Sequence, residues 1–247
     1  MDTDEKRLQK YPVWDKTVRF FHWINVLSIL CLIAVGTVIL NDKALGITSG
    51  GKILLKTVHV YIGYLFVANL AWRLIWSFIG NRFARWKAIL PFGDQYKKQR
   101  QALVDGLKTG NSAAFMGHNP LARWMVTFLF VILTTMAATG LVLGGTDVYM
   151  SPFGGYFKSW VAESPEAIAV VKPYSQEGVD KEAYQAMRNF RKPFGKVHYY
   201  AFFVLLAAIM LHLAAVILTE LRERSGLVSA MFTGEKIFDK KPLDLED

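Results

Sequence analysis

The polar positions of the chain separate four long apolar stretches. Phe20–Leu40 holds 21 residues without a formal charge, and Thr57–Asn81 holds 25 interrupted only by Arg73. Trp124–Thr146 and Val197–Thr219 hold 23 uncharged residues each. A hydrocarbon core about 30 Å thick is crossed by about 20 apolar residues in a helix, so the pattern predicts transmembrane helices over 20–40, 57–81, 124–146 and 197–219. Buried helices of soluble proteins are seldom free of charge over such lengths. The first stretch reads as a span rather than a cleavable signal, because its apolar run is long and no small-residue cleavage site follows before Asn41 and Asp42. The predicted fold class is an all-α membrane protein, a four-transmembrane-helix bundle forming one domain over 1–247. A long loop covers 147–196 and a tail covers 220–247.

Composition agrees: 53% of the residues are hydrophobic, 20% are charged, and the mean hydropathy is +0.25. The net charge of +9 would invite a nucleic-acid reading, but its distribution follows topology. The segments before the first span, between the second and third, and after the fourth carry five, eight and five Lys or Arg residues. The two remaining loops carry three and seven. By the positive-inside rule both termini are cytoplasmic and the 147–196 loop is periplasmic. No nucleic-acid partner is expected. Tryptophans near the predicted span ends suit the headgroup level. Asn119 suits a helix N-cap and Pro120 the first helical position. In the long loop, Lys181 to Phe190 is expected to form a short interfacial helix, and the loop is a candidate docking site for a partner. The single cysteine, Cys31, excludes an internal disulfide framework and a cysteine-ligated zinc or iron–sulfur centre.

Four of the five histidines lie within predicted spans: His22, His59, His198 and His212. Ionisable residues there are rare and point to function. The first span is entered from inside, so His22, three residues past Arg19, lies near the inner face. The second returns from outside and places His59 near the outer face. The fourth also begins outside, with His198 near the outer face and His212 deeper by 14 residues, about 21 Å. Fourteen residues are two heptads, so the last two imidazoles share one helix face. Two pairs at two depths, His59 with His198 outside and His22 with His212 inside, suit two haems, each iron held axially by two neutral imidazoles. The inner match in depth is the looser, and snorkelling of Arg19 would absorb the difference.

The same spacing of 14 relates His22 to Gly36 and His59 to Arg73. Gly36 would reach the outer level, where a missing side chain admits a flat macrocycle; ordinary small-residue helix packing is the alternative. Arg73 would reach the inner level and pair with a haem propionate; a snorkelling helix-end charge is the alternative. Gly63 and Gly140 are further close-approach candidates, with helix packing the simpler reading. His118, outside the spans, reads as part of a helix start rather than a ligand.

At these residues the chain resembles a family, the bacterial dihaem b-type cytochromes that include the membrane subunit of nickel–iron hydrogenases. The matching pieces begin with Val13-Trp14-Asp15 and Val18-Arg19-Phe20-Phe21-His22-Trp23. They continue with Lys56 to His59, Gly63, Arg73 to Trp76, and Gly117 to Leu121. After His198 and His212 come Leu227-Val228 and Ala230-Met231-Phe232-Thr233-Gly234. The resemblance implies a four-helix bundle with two b haems in the bacterial inner membrane, passing electrons between the quinone pool and a periplasmic redox partner. It implies the ligand pairs His22 with His212 and His59 with His198, the same pairs that topology gives. The 147–196 loop is longer than the family's usual, which bears on the partner's identity.

The favoured function is therefore a membrane electron-transfer subunit, with a hydrogenase-type subunit or another periplasmic redox protein as partner and quinone as exchangeable substrate. Arg19 and Arg73 would stabilise the propionates of the inner haem and raise its potential. A stand-alone oxidoreductase, such as a superoxide:quinone oxidoreductase, is the alternative. A metal transporter or a structural anchor would use the histidines without haem, and the spans hold no carboxylate to support transport.

Overall fold

The structure, a computed structural model, describes residues 8–110 and 113–245 of the 247. In order these form strand β1 (Gln9–Pro12), helices α1 (Lys16–Leu40), α2 (Ser49–Ile79), α3 (Trp86–Ile89), α4 (Asp94–Thr109), α5 (Pro120–Asp147), α6 (Gly154–Val161), α7 (Lys181–Glu223) and α8 (Ala230–Thr233), and strand β2 (Glu235–Phe238). The protein is mostly helical. Four helices, α1, α2, α5 and α7, are long and apolar enough to cross a membrane, and they contain the four predicted spans but for Gly80 and Asn81.

Burial in these helices runs opposite to that of a water-soluble core. Phe20, Leu27, Leu54 and Phe78 are all more than 60% exposed, whereas Ser28, Arg73, Ser77, Thr139 and Thr146 are buried. Apolar side chains facing outward and polar ones inward are the arrangement a lipid solvent favours, because an unsatisfied polar group in hydrocarbon costs several kcal/mol.

Helix α7 departs from expectation. Lys181–Phe190 is not a separate interfacial helix but the first turns of a continuous 43-residue helix. At 1.5 Å per residue it is about 64 Å long, roughly twice what a bilayer core requires. Pro193 lies within it. Its ring removes one donor from the helix ladder, yet the helix continues, since the flanking turns supply the remaining bonds.

Backbone contacts divide the chain into two compact units, and each long helix contributes to both. The first comprises Met1–Trp23, Ala71–Val131 and Leu206–Asp247. Here β1 and β2 pair antiparallel, with Gln9 opposite Phe238 and Pro12 opposite Glu235. A two-stranded ribbon is marginal alone. It rests on a cluster of Val13, Phe83, Ala114, Met116 and Phe238. Asp244 ties the tail to the segment before α5 by accepting the N–H groups of Met116 (2.6 Å) and Gly117 (2.9 Å). Asp15 caps α1 by accepting the Val18 N–H at 2.8 Å, and its other oxygen accepts the Trp76 indole N–H at 2.9 Å. Helix α5 begins at Pro120, and the Asn119 side chain accepts the Ala122 N–H at 2.8 Å. The cap read from the sequence is the cap that forms.

The second unit comprises Ile24–Leu70 and Ile132–Leu205. Its 148–180 connection is folded rather than loose. Phe157 and Val161 of α6 pack with Val171, Val179 and the α7 residue Met187. An isolated bridge pairs Ala162 with Val179. Burying these side chains gives the long connection a core of its own, consistent with a segment too long for a simple turn.

Candidate functional site

In the second unit, α2 and α7 bring His59 and His198 together edge-on, with ring centroids 6.5 Å apart and planes at 74°. Two imidazoles that ligate one metal from opposite sides, with metal–nitrogen bonds of about 2.0–2.1 Å, have ring centres about 6.3 Å apart. The angle between the planes is free, because rotation about the nitrogen–metal–nitrogen axis leaves that distance unchanged. Around the pair lies a cavity of about 360 Å³, lined on its apolar faces by Ile33, Val67, Met136 and Phe202.

Glycines make the space. A Cβ placed on Gly36 would stand 3.3 Å from His59 Cε1, and one on Gly140 would stand 3.4 Å from His198 Cε1. Gly63 also lines the cavity, and a Cβ there would meet nothing within 4 Å. At Gly36 and Gly140 the absent side chain leaves room beside an imidazole. A backbone stripped of side chains near a ligand is a recurring use of glycine. Gly36, fourteen residues after His22, thus stands beside the His59 ring.

The state of His198 follows from its neighbour. The Thr139 hydroxyl lies 2.7 Å from the Thr135 carbonyl oxygen and 2.8 Å from His198 Nδ1. A hydroxyl has one proton, and the carbonyl takes it, so Oγ1 accepts from Nδ1–H. The proton is thereby fixed on Nδ1, and Nε2 keeps its lone pair for a metal. His59 Nδ1 is buried without a hydrogen-bond partner. Among the described residues no three His, Cys, Asp or Glu side chains converge, so the histidines meet two at a time. Paired imidazoles lining a cavity with glycines on its walls fit a haem, which His59 and His198 would hold.

The polar end of the cavity was not foreseen. Asp147, the last residue of α5, receives Lys56 of α2 and Arg191 of α7. Arg191 reaches it with Nε–Oδ1 at 2.5 Å and Nη2–Oδ2 at 2.8 Å, and Lys56 Nζ makes an ion pair with Oδ2. All three line the cavity. A signal was present: Lys56 precedes His59 by three residues and Arg191 precedes His198 by seven, helical spacings that share a face. Thr139 carried no such signal, because a threonine in an apolar helix is ordinary.

In the first unit, His22 and His212 lie within electrostatic range of one another, and His22 Nδ1 is buried without a partner. Arg73 is 3% exposed, so it is not a snorkelling charge. It donates to Ser77 Oγ (2.6 Å) and the Ala84 carbonyl (3.2 Å). Its guanidinium faces the rings of Phe21 (5.8 Å) and Phe130 (5.4 Å), contacts that suit a delocalised cation. Arg19 donates to the Phe232 carbonyl oxygen, while its Nε is buried without a partner. The tail before β2 thereby holds Arg19 in place.

His118 packs against Trp14 at a tilt of 48° with centroids 4.9 Å apart, and its Nδ1 is buried and unpartnered. Burial first, and then the cations Lys236, Arg73 and Arg123, push its imidazole down to about 3, so it is neutral at physiological pH. Burial likewise lowers the Lys236 ammonium to about 8, against the pull of Glu223 and Asp244. Lys236 donates to the Gly117 carbonyl at 3.1 Å, next to His118.

Comparison with known proteins agrees with this architecture. The family described as prokaryotic cytochrome b561 matches residues 13–234. A probable Ni/Fe-hydrogenase B-type cytochrome subunit of Rhizobium leguminosarum bv. viciae is 28% identical over 245 residues, covering 93% of this chain and 90% of its own length. A protein of the same description from Cupriavidus necator is 22% identical over 241 residues, covering 94% and 89%. A probable Ni/Fe-hydrogenase 1 B-type cytochrome subunit of Escherichia coli is 28% identical over 156 residues, covering 58% and 64%. The family match takes in all four long helices and the whole glycine-lined cavity, and the chain belongs to the prokaryotic cytochrome b561 family, membrane-bound b-type cytochromes that transfer electrons.

Proposed function

We propose that this protein is a dihaem electron-transfer subunit of the bacterial inner membrane, linking a periplasmic redox partner to the quinone pool. The observation that carries it is the His59–His198 pair, set at ligand spacing in a glycine-walled cavity. His22 and His212 form the second ligand pair. Each haem, when bound, supplies a one-electron couple. The four long helices form a bundle with both termini cytoplasmic, which makes the His59 end the periplasmic one.

The chain's own contribution is ligation, orientation and electrostatics. His59 and His198 would hold the haem iron, and Thr139, by accepting from Nδ1–H, would leave the His198 Nε2 lone pair free to bind it. Gly36, Gly63 and Gly140 leave room for the ring. At the cytoplasmic end Arg73 and Arg19 supply positive charge beside His22 and His212. That charge favours the reduced state of a group held there and raises its potential. Quinone would exchange electrons at this end. The relatives named as Ni/Fe-hydrogenase cytochrome subunits support a hydrogenase-type partner on the periplasmic side, and the folded 148–180 connection is its docking candidate.

The test is a redox-resolved visible spectrum with a haem count. His59→Ala is expected to remove one of two haems per chain and leave the other's spectrum intact. A wild-type protein without a Soret band, or an unchanged haem count in the variant, would overturn the assignment. Co-purification of the intact complex identifies the partner.

A further inference from the structure

The cavity around His59 and His198 is apolar except at one end, where Lys56, Asp147 and Arg191 meet. We infer that Lys56 and Arg191, positioned by Asp147, anchor the carboxylates of the haem held by His59 and His198; this rests on the function proposed above.

The argument starts from charge. Two cations share one carboxylate, so the cluster carries one positive charge more than it neutralises internally. Their side chains are only 19% and 27% exposed, and that of Asp147 18%. An excess charge so far withdrawn from water is costly unless a further anion balances it. Tyr174, from the 148–180 connection, lies over Lys56 with its ring centre 5.4 Å from Nζ, which withdraws the ammonium further. A haem is an apolar disc with two carboxylates at one edge. The apolar walls match the disc, and the cationic end is where the cavity lining offers its edge a counter-charge.

Register agrees with charge. Lys56 stands one turn before His59, and Arg191 two turns before His198. Both cations therefore lie on the ligand faces of their helices and toward the same end. Arginine's planar fork suits a carboxylate, and here Nη2 donates to Asp147 while the buried Nε, although within ion-pair distance of Oδ1, has no hydrogen-bond partner. In this assignment Asp147 is a positioning residue. It orders two long, flexible side chains before the haem carboxylates arrive and so reduces the entropy lost on binding.

A purely structural brace between helices is the competing account, and it predicts different spectroscopy. The experiment uses the haem-loaded protein purified from membranes, with a triple variant K56Q/D147N/R191Q that leaves no carboxylate stranded. Resonance Raman reports the haem propionate-bending bands, and a redox titration reports each midpoint. The triple variant is expected to shift one haem's propionate band. It is also expected to lower that haem's reduction equilibrium at least tenfold, about 59 mV for a one-electron couple, with the other haem unmoved. Asp147→Asn alone is expected to move the same midpoint upward, because it removes a negative charge and keeps both cations. Unmoved bands and midpoints, with or without a loss of thermal stability, would overturn the anchor. The two proposals fail separately: His59→Ala tests ligation, whereas a wild type holding two haems and a triple variant with unaltered propionate bands defeats the anchor alone.

Discussion

The two histidine pairs are built by opposite means. His59 and His198 occupy a site defined by what is missing, where glycine at 36, 63 and 140 leaves a void and the neighbouring walls are apolar. His22 and His212 belong to a unit defined by what has been added. Arg73, Arg123 and Lys236 are each 3% exposed, and a neutral His118 stands among them. An apolar void holds a ring by shape and lets two axial nitrogens set its position. A site rich in buried cations acts on charge, raising the affinity for anions and for electrons. One sequence thus provides a glycine-walled apolar cavity whose cations are confined to one end, and a second histidine region with buried cations distributed around it.

That contrast is open to test, beginning with the largest expected effect. Gly36→Leu puts a branched side chain where a bare Cβ already comes 3.3 Å from the His59 ring. It should abolish the haem at His59–His198 while the other stays, measured as haem per chain. A full complement of haem would mean that the void is not the haem's place. Thr139→Val keeps the shape and removes the acceptor for His198 Nδ1–H. Loss of such an outer partner lowers metal affinity about 10- to 100-fold, and haem-transfer kinetics to an acceptor protein would report it. An unchanged rate would show that Thr139 does not govern the tautomer.

The cation-rich unit yields smaller effects. Arg73→Gln should lower the midpoint of the haem at His22–His212 by a roughly three- to tenfold change in its reduction equilibrium, since nearby charge tunes the potential. The other haem serves as internal control, and equal shifts in both would erase the contrast. His118→Phe keeps a ring against Trp14 and removes the titration. Burial and the nearby cations hold the folded pKa of His118 at about 3, below the usual 6.5 of an imidazole, so between these values the unfolded chain binds a proton that the folded chain does not. Stability from this group is complete above pH 6.5 and is lost as pH falls, by about 1.4 kcal/mol per pH unit. The variant should therefore show a shallower acid limb in thermal unfolding between pH 6.5 and 4.5. An identical limb would exclude His118 as a source of acid lability.

Much of this was legible along the chain. Four apolar stretches, with Arg73 the single formal charge among them, pointed to the long helices, because hydrocarbon tolerates few charges and requires a helix. Helix direction and depth suggested His59 with His198, and the 14-residue interval from His22 suggested Gly36 near them, since helical periodicity converts a sequence interval into a shared face. The cap at Asn119 and Pro120 was equally readable, being a local preference. Local pattern misjudged the start of α7. Lys181–Phe190 is polar, and polarity shows where lipid ends, not where a helix ends. Arg73 also misled as a possible snorkelling charge, because nothing in its neighbours along the chain announces Ser77, Ala84, Phe21 and Phe130 closing around it.

The sequence by itself determined the four long apolar helices and which of them carry the histidines, both of which follow from hydrophobicity and residue position. The tertiary structure alone decided that Thr139 fixes the His198 proton and that Asp147 gathers Lys56 and Arg191 at one end of a cavity. It also decided that the 148–180 connection folds onto α7. These are contacts between residues tens of positions apart, and they depend on which faces of packed helices meet, a quantity no single helix's period contains.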